Sequence, residues 1–204
     1  MIKTYSELLY ENSAYANAKT KIARLVKDGA LYEIRRGIYE TDKNVNPMYL
    51  SSAIYSPSYI SFQTALSYYG IIPERTMKIT SATTKKNKRK SYKNAFGEYL
   101  YQDIPASAFN AGVIDYSNEQ YPYLIASKEK AICDMLYIES PVSNMKELET
   151  LMFANLRFDE DAFKELDFNK LISIAELYKS TNTKMLIKYV RKNYAKWCYK
   201  RIVI

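Results

Sequence analysis

Histidine is absent from this 204-residue chain. Without imidazole there is no His-containing zinc site and no Ser-His or Cys-His nucleophile pair. There is also no side chain that serves as a general acid or base by imidazole chemistry. Cysteine is nearly as scarce: Cys133 and Cys198 stand far apart and share no ligand-like spacing. A disulfide framework is not expected, and a reducing compartment fits better. Only five glycines occur, and none forms a phosphate-binding loop. A nucleotidyltransferase-type Gly-Ser followed by spaced aspartates is missing as well. No apolar run approaches the roughly 18 to 20 residues that span a bilayer. The opening segment MIKTYSELLYENSAYANAK lacks the continuous apolar core of a secretion signal. The expectation is a cytoplasmic protein without cofactor, metal or membrane partner, and not an enzyme.

What is present is a hydrophobic content of 48% beside 25% charged residues, the balance of a globular chain that buries a core. The net charge is +8 and the isoelectric point near 9.2, which favours polyanionic partners. No repeat or low-complexity tract occurs. The clearest break is ETDKNVNP, residues 40 to 47, polar and ending in proline. Behind it, YISFQTALSYYG reads as a short strand entering a helix that stops at Gly70. TMKITSAT, AFGEYLYQDI, NAGVIDYS and YPYLIAS have strand texture. From Ser127 onward the texture is helical, with Ser127 as cap and Glu129 near the positive end of the dipole. Further helices are expected over Met145 to Asn155, Phe168 to Tyr178 and Thr183 to Tyr199. The fold class is therefore α+β.

The segment KTKIARLVKDGALYEIRRGIYE, residues 19 to 40, is the most informative. Ile22, Leu25 and Val26 stand at i, i+3 and i+4, so one helical face is apolar. Lys19, Thr20, Lys21, Arg24 and Lys27 fall mainly on the others. Asp28-Gly29 ends the helix, and LYEI and GIYE can form a hairpin with Arg35, Arg36 and Gly37 near its turn. Leu31, Ile34 and Ile38 are expected to return to the helix and close a small core. A cationic helix followed by a basic-tipped hairpin has the layout of a winged helix-turn-helix. Its helix would enter the major groove and its hairpin would lie on the neighbouring backbone or minor groove. Only YSELLYEN is available as a preceding helix, with Leu8 and Leu9 facing inward.

Other features carry two readings. TTKKNKRKSYKN, residues 83 to 94, is a basic loop, either solvated or touching phosphate. Lys184, Lys188, Lys192, Lys196 and Lys200 recur at i+4 and make one cationic ridge, with Leu186, Tyr189, Val190 and Trp197 inward. Either a polyanion or an acidic segment such as FDEDAFKELD would offset the repulsion along that ridge. FDEDAF is read as a charged loop or helix start, and Cys133 as a buried small hydrophobe. The 21 tyrosines are read mostly as core or half-buried strand residues rather than a stacking platform. Helix-start and surface roles are expected for Glu129 and Asp134.

Three segments in order, LVKDGALYEIRRGIYE, YISFQTALSYYGIIPE and ASKEKAICDMLYI, together resemble the AbiEi family. These are the antitoxin and transcriptional-regulator halves of type IV toxin–antitoxin systems linked to phage abortive infection. The first segment resembles the family's recognition-helix end and wing, closing on Gly37 and Tyr39. The second resembles the strand-to-helix entry of its second domain. The third resembles its PEKAxxD helix, with Ser127 where proline is common and Glu129, Lys130, Ala131 and Asp134 in register. The resemblance covers roughly residues 5 to 140. It implies a winged helix-turn-helix over residues 1–45, followed by a mixed α+β antitoxin domain over 46–204 with a helical C-terminal part. It implies a repressor of its own operon, bound to inverted repeats in double-stranded promoter DNA. It also implies a partner toxin of the nucleotidyltransferase-like kind, whose neutralisation need not involve a stable complex. The candidate DNA contacts are Lys19, Thr20, Lys21, Arg24 and Lys27 on the helix and Arg35 and Arg36 on the wing. Lys184, Lys188 and Lys192 would add backbone contacts. The alternative is an antitoxin acting mainly by protein contact or toxin modification, with DNA binding incidental. A nuclease or other hydrolase is least favoured for want of a recognisable site.

Overall fold

A computed structural model describes the backbone of residues 1–202 and the side chains of residues 1–193. The chain opens with strand β1 (Ile2–Thr4), helices α1 (Tyr5–Glu11) and α2 (Ala18–Lys27), then strands β2 (Tyr32–Arg35) and β3 (Ile38–Glu40). Local chemistry sets the helix starts. Thr4 and Glu7 form a capping box, the Glu7 amide donating to Thr4 Oγ1 at 3.2 Å and the Thr4 amide to the Glu7 carboxylate at 2.6 Å. Asn17 caps α2 through the Thr20 amide at 3.0 Å. Gly29 at φ +72° ends α2, as its sequence position predicts.

The three strands pair antiparallel in the order β1-β3-β2. One side of this small sheet closes a core of Leu8, Ile22, Leu31 and Tyr39 beneath α1 and α2. The expectation for Ile34 and Ile38 needs correction. Strand side chains alternate in direction, so Tyr39 faces the helices while Ile38 and Glu40 face away. Ile34, displaced by a register shift between Glu33 and Arg35, also faces away. It packs with Leu50, Ile54, Tyr99, Tyr101 and Tyr121 of the larger body. The first module is thus docked through the back of its hairpin. Buried Glu40 reinforces the joint by accepting from Tyr121 Oη at 3.2 Å. The polar segment 40–47 is a packed connection, with Val45 buried and Asn46 capping a 3-10 turn over Pro47–Leu50.

The body is built on a six-stranded mixed sheet, β6-β7-β5-β4-β9-β8. Its strands are β4 (Ser58–Ile60), β5 (Lys78–Thr83), β6 (Lys90–Asn94), β7 (Gly97–Asp103), β8 (Val113–Asp115) and β9 (Leu124–Ala126). β5 runs parallel to β7 and β4 parallel to β9, the other pairs being antiparallel. The second half of the basic segment 83–94 is therefore the edge strand β6 rather than loop, a place where lysines discourage edge-to-edge pairing.

The two faces of the sheet are covered differently. Tyr99 and Tyr101 point toward α3 (Ser51–Ile54) and the first module. Leu100, between them, points toward α4 (Phe62–Tyr68) and α5 (Lys128–Ile138). Behind α5 lie α6 (Met145–Glu149) with a continuous π-helical turn over Thr150–Asn155, then α7 (Glu160–Lys164), α8 (Phe168–Glu176) and α9 (Thr181–Ile202). The helices expected at 145–155, 168–178 and 183–199 all form, with ends shifted by a few residues. FDEDAF is a helix start, Asp159 accepting from the amides of Asp161 and Ala162 at 3.0 and 2.8 Å.

Tyrosine supplies much of the core. Tyr59, Tyr99 and Tyr101 are sealed from solvent. Burial pushes the phenols of Tyr69 and Tyr121 up to about 12, and raises those of Tyr59, Tyr99, Tyr101, Tyr123, Tyr178 and Tyr189 as well. A phenol raised in the folded state contributes stability that is complete below its unfolded pKa of about 10. That contribution falls as pH climbs from there through the folded value. Urea midpoints measured upward from about pH 8 should hold steady to about pH 10 and then fall steeply, together with the rise in tyrosinate absorbance. A midpoint flat beyond pH 12 would show that these rings are not sealed.

Candidate nucleic-acid interface

On α2, Ile22 is buried and Leu25 and Val26 are half-buried. Thr20, Arg24 and Lys27 recur at i, i+4 and i+7 on the opposite face, and all three are exposed. Lys19 is exposed on the flank. None of Lys19, Arg24 and Lys27 enters an ion pair among the described residues. Lys21 is set apart: it is half-buried, its ammonium 5.0 Å from the centre of the Tyr15 ring.

The hairpin is short. Its turn is Arg36-Gly37, with Gly37 at φ +79°, and the Gly37 carbonyl accepts from the Tyr5 amide at 2.8 Å. The tip is thereby held against the start of α1. The two arginines differ in what holds them. Arg35 donates to the Ile54 carbonyl at 2.9 Å, tying the hairpin to the body, whereas Arg36 is exposed and has no partner among the described residues. The neighbouring residue, Tyr55, lies under the Lys86 ammonium at 5.3 Å. This brings the basic turn before β6 beside the hairpin. That turn is shaped by Asp103, which accepts from the amides of Lys86 and Asn87 at 3.1 Å each and leaves Lys85 and Lys88 outward.

Lys184, Lys188 and Lys192 are exposed on α9, while Leu186 and Val190 are fully buried and Tyr189 nearly so. Lys196, Trp197, Cys198 and Lys200 lie outside the described side chains. α9 packs on α5, α6 and α8, and so belongs to the layer across the sheet from α2. The structure does not bring this ridge together with the first module. Nor do acidic segments pair with it: in FDEDAFKELD, Asp159 and Asp167 cap helices and Glu160 and Asp161 pair with Lys164, and the three lysines make no ion pair among the described residues.

Surface roles for Asp134 are overturned. Lys130 and Asp134, one helical turn apart on α5, are both fully buried, 3.4 Å from each other. The Lys130 ammonium also donates to the Ala108 carbonyl and to Tyr178 Oη, each at 2.5 Å. Asp134 accepts from Ser61 at 2.6 Å, from Tyr59 at 3.0 Å and from Tyr178. Burial draws the Lys130 pKa down, and Asp134 opposes it. Closed to solvent on every side, this network clasps β4, α5 and the end of α8 and exposes no nucleophile. Glu129, beside it, does serve the helix start. Burial pushes its carboxyl up, but its own backbone N–H, Ser127 and Lys170 outweigh that and hold it below its usual value. A charged pair inside the otherwise apolar run KAICDML was the signal in the sequence for this cluster. Its partners Tyr59, Ser61 and Tyr178 carried none.

Among the described residues no His/Cys/Asp/Glu group could hold a metal ion, and no helix is long and apolar enough to cross a membrane. The sequence matches no known family profile and no curated protein.

Proposed function

We propose that this protein is a DNA-binding antitoxin of the AbiEi type. It represses its own operon from the cytoplasm and counteracts a nucleotidyltransferase-like toxin encoded beside it. The observation that carries the reading is the outward face of α2, where Thr20, Arg24 and Lys27 stand exposed opposite buried Ile22, neither cation entering an ion pair among the described residues. Unneutralised cations on a rigid helix suit a phosphate-lined groove, because binding releases counterions from the duplex. The order β-α-α-β-β, with β3 between β1 and β2, supports a winged helix-turn-helix reduced by its opening helix. The hairpin then acts as a short wing with Arg36 exposed at its tip.

Arg36→Ala in the full chain tests the wing. Titration of promoter DNA at several salt concentrations should give a log–log slope shallower by about 0.9, the share of one phosphate contact. Arg35→Ala should act differently, loosening the hairpin from the Ile54 carbonyl and lowering stability by about 1 kcal/mol. An Arg36→Ala protein with unchanged affinity and slope removes the hairpin from the interface.

A second reading, neutralisation through protein contact, draws on the uncovered lysines of α9 across the sheet from α2. A full-length protein that no longer binds the promoter yet still protects cells from the toxin would assign neutralisation to that side.

A further inference from the structure

Stacking of nucleic-acid bases needs aromatic rings on a basic surface, and at the β6 edge of the large sheet Tyr55 and Tyr92 meet that condition. Their ring centres are 5.8 Å apart, and both rest on buried Tyr101, at 5.2 and 5.9 Å. The Lys86 ammonium lies over Tyr55 at 5.3 Å. On β6, Lys90 and Tyr92 are two residues apart and so share a sheet face, and Lys90 pairs in register with Tyr101. Tyr55, Lys86, Lys90 and Tyr92 all keep part of their surface in solvent. Arg35, held on the carbonyl of Ile54, borders the same cluster.

The cations of this patch are not balanced. No acidic residue occurs between Glu74 and Glu98 in the chain, and Lys85, Lys86, Lys88, Arg89 and Lys90 enter no ion pair among the described residues. Asp103 is occupied with the backbone of the turn, accepting from the amides of Lys86 and Asn87. Lys85 and Asn87 adopt the left-handed conformation, at φ +58° and +52°, a costly shape that persists only where its surroundings fix it. Arg89 donates to the Gln102 side chain at 2.6 and 3.1 Å and anchors the turn where β6 begins. The backbone that carries Lys86, Lys88 and Lys90 therefore has little freedom left to lose on binding.

We propose that this surface binds single-stranded nucleic acid. Successive bases stack on Tyr55 and Tyr92, and the phosphates that join and flank them meet Lys86, Lys88 and Lys90. A duplex keeps its bases stacked on one another and offers this patch phosphates alone, whereas an open strand presents both. α2 packs on the other side of the small sheet, so the two surfaces are separate and the strand site does not depend on the promoter-binding reading.

Fluorescence anisotropy of the full-length protein with labelled oligo-U, oligo-A and oligo-dT of about 12 nucleotides tests this. The comparator is a duplex of equal length, unrelated to the promoter. The best strand should bind at least about tenfold more tightly than the duplex at matched salt. Tyr55→Leu and Tyr92→Leu should each weaken it by about fivefold or more and leave the salt dependence unchanged, since a lost stack carries no charge. Tyr92→Phe, which keeps the ring, should bind as the parent does. Changing Lys86, Lys88 and Lys90 together to alanine, at the surface, should make the log–log salt slope shallower by about 2, three contacts at roughly 0.7 each. Changing Lys19, Arg24 and Lys27 on α2 should leave strand binding intact, which separates this site from the promoter surface. The proposal is overturned if no strand binds, if the duplex binds as tightly as the best strand, if both folded leucine variants keep full affinity, or if the lysine variant keeps the parent's slope.

Discussion

Lys130→Met should lower the stability of the protein by about 3–5 kcal/mol, the cost of leaving one member of a buried ion pair unpaired. Methionine nearly preserves the length of the side chain, so packing changes little and the loss is electrostatic. Asp134 would keep three hydroxyl donors, from Ser61, Tyr59 and Tyr178, but lose the Lys130 ammonium in a site without solvent. Tyr178 would lose the ammonium that donates to its oxygen, and the Ala108 carbonyl would lose its partner. At about 2–4 °C per kcal/mol for a chain of this size, the melting temperature should fall by roughly 6–20 °C. The double variant Lys130→Met, Asp134→Asn should recover much of that loss. Removing both charges of a buried pair is close to neutral, and an asparagine oxygen still accepts from the hydroxyls. Urea midpoints of the three proteins decide the matter. A single variant within about 1 kcal/mol of the parent would show that the pair does not clasp β4 to α5.

The second large effect is expected on α2. With Lys19, Arg24 and Lys27 all changed to alanine, the slope of log affinity against log salt should become shallower by about 2.7, three contacts at roughly 0.9 each. Affinity should weaken on the order of a hundredfold or more at moderate salt, since each lost contact is worth about 1 kcal/mol and a base-edge contact more. Folding should be spared. Lys19, Arg24 and Lys27 are exposed and enter no ion pair among the described residues, and Arg24 and Lys27 lie opposite the Ile22 face. The matched control is Lys184→Ala, Lys188→Ala, Lys192→Ala, which removes the same charge from the layer across the sheet. If α2 holds the duplex, this control leaves the slope unchanged. Equal losses in both triple variants would mean that binding tracks net charge alone, and the reading of α2 as the recognition helix would fail.

Legibility in the sequence followed the range of the interactions involved. α2 and its end at Gly29 were readable because apolar spacing and a glycine in the left-handed region act within one or two turns of chain. The same holds for Ser127 at the start of α5 and for the stop of α4 at Gly70. β6 was missed because TTKKNKRKSYKN has no apolar alternation, and only pairing with β7 makes its second half a strand. Ile34 was assigned to the wrong core because the register shift between Glu33 and Arg35, which turns it to the back of the hairpin, arises only in the pairing of β2 with β3. Asp134 was placed at the surface because a carboxylate there looks affordable, and its partners Tyr59, Ser61 and Tyr178 lie 75, 73 and 44 residues away.

From its residues alone this protein declares its charge, its lack of imidazole chemistry, most of its helices and the cationic stripe on α2. These follow from composition and from contacts between near neighbours in the chain. Only the folded molecule separates Arg35, spent on holding the hairpin, from Arg36, exposed beside it. Only the fold sets the C-terminal lysines across the sheet from the first module, buries Lys130 against Asp134, and lays Lys86 over Tyr55 beside Tyr92. Each of those outcomes depends on which distant segments share a sheet face, and the strand order β6-β7-β5-β4-β9-β8 decides that.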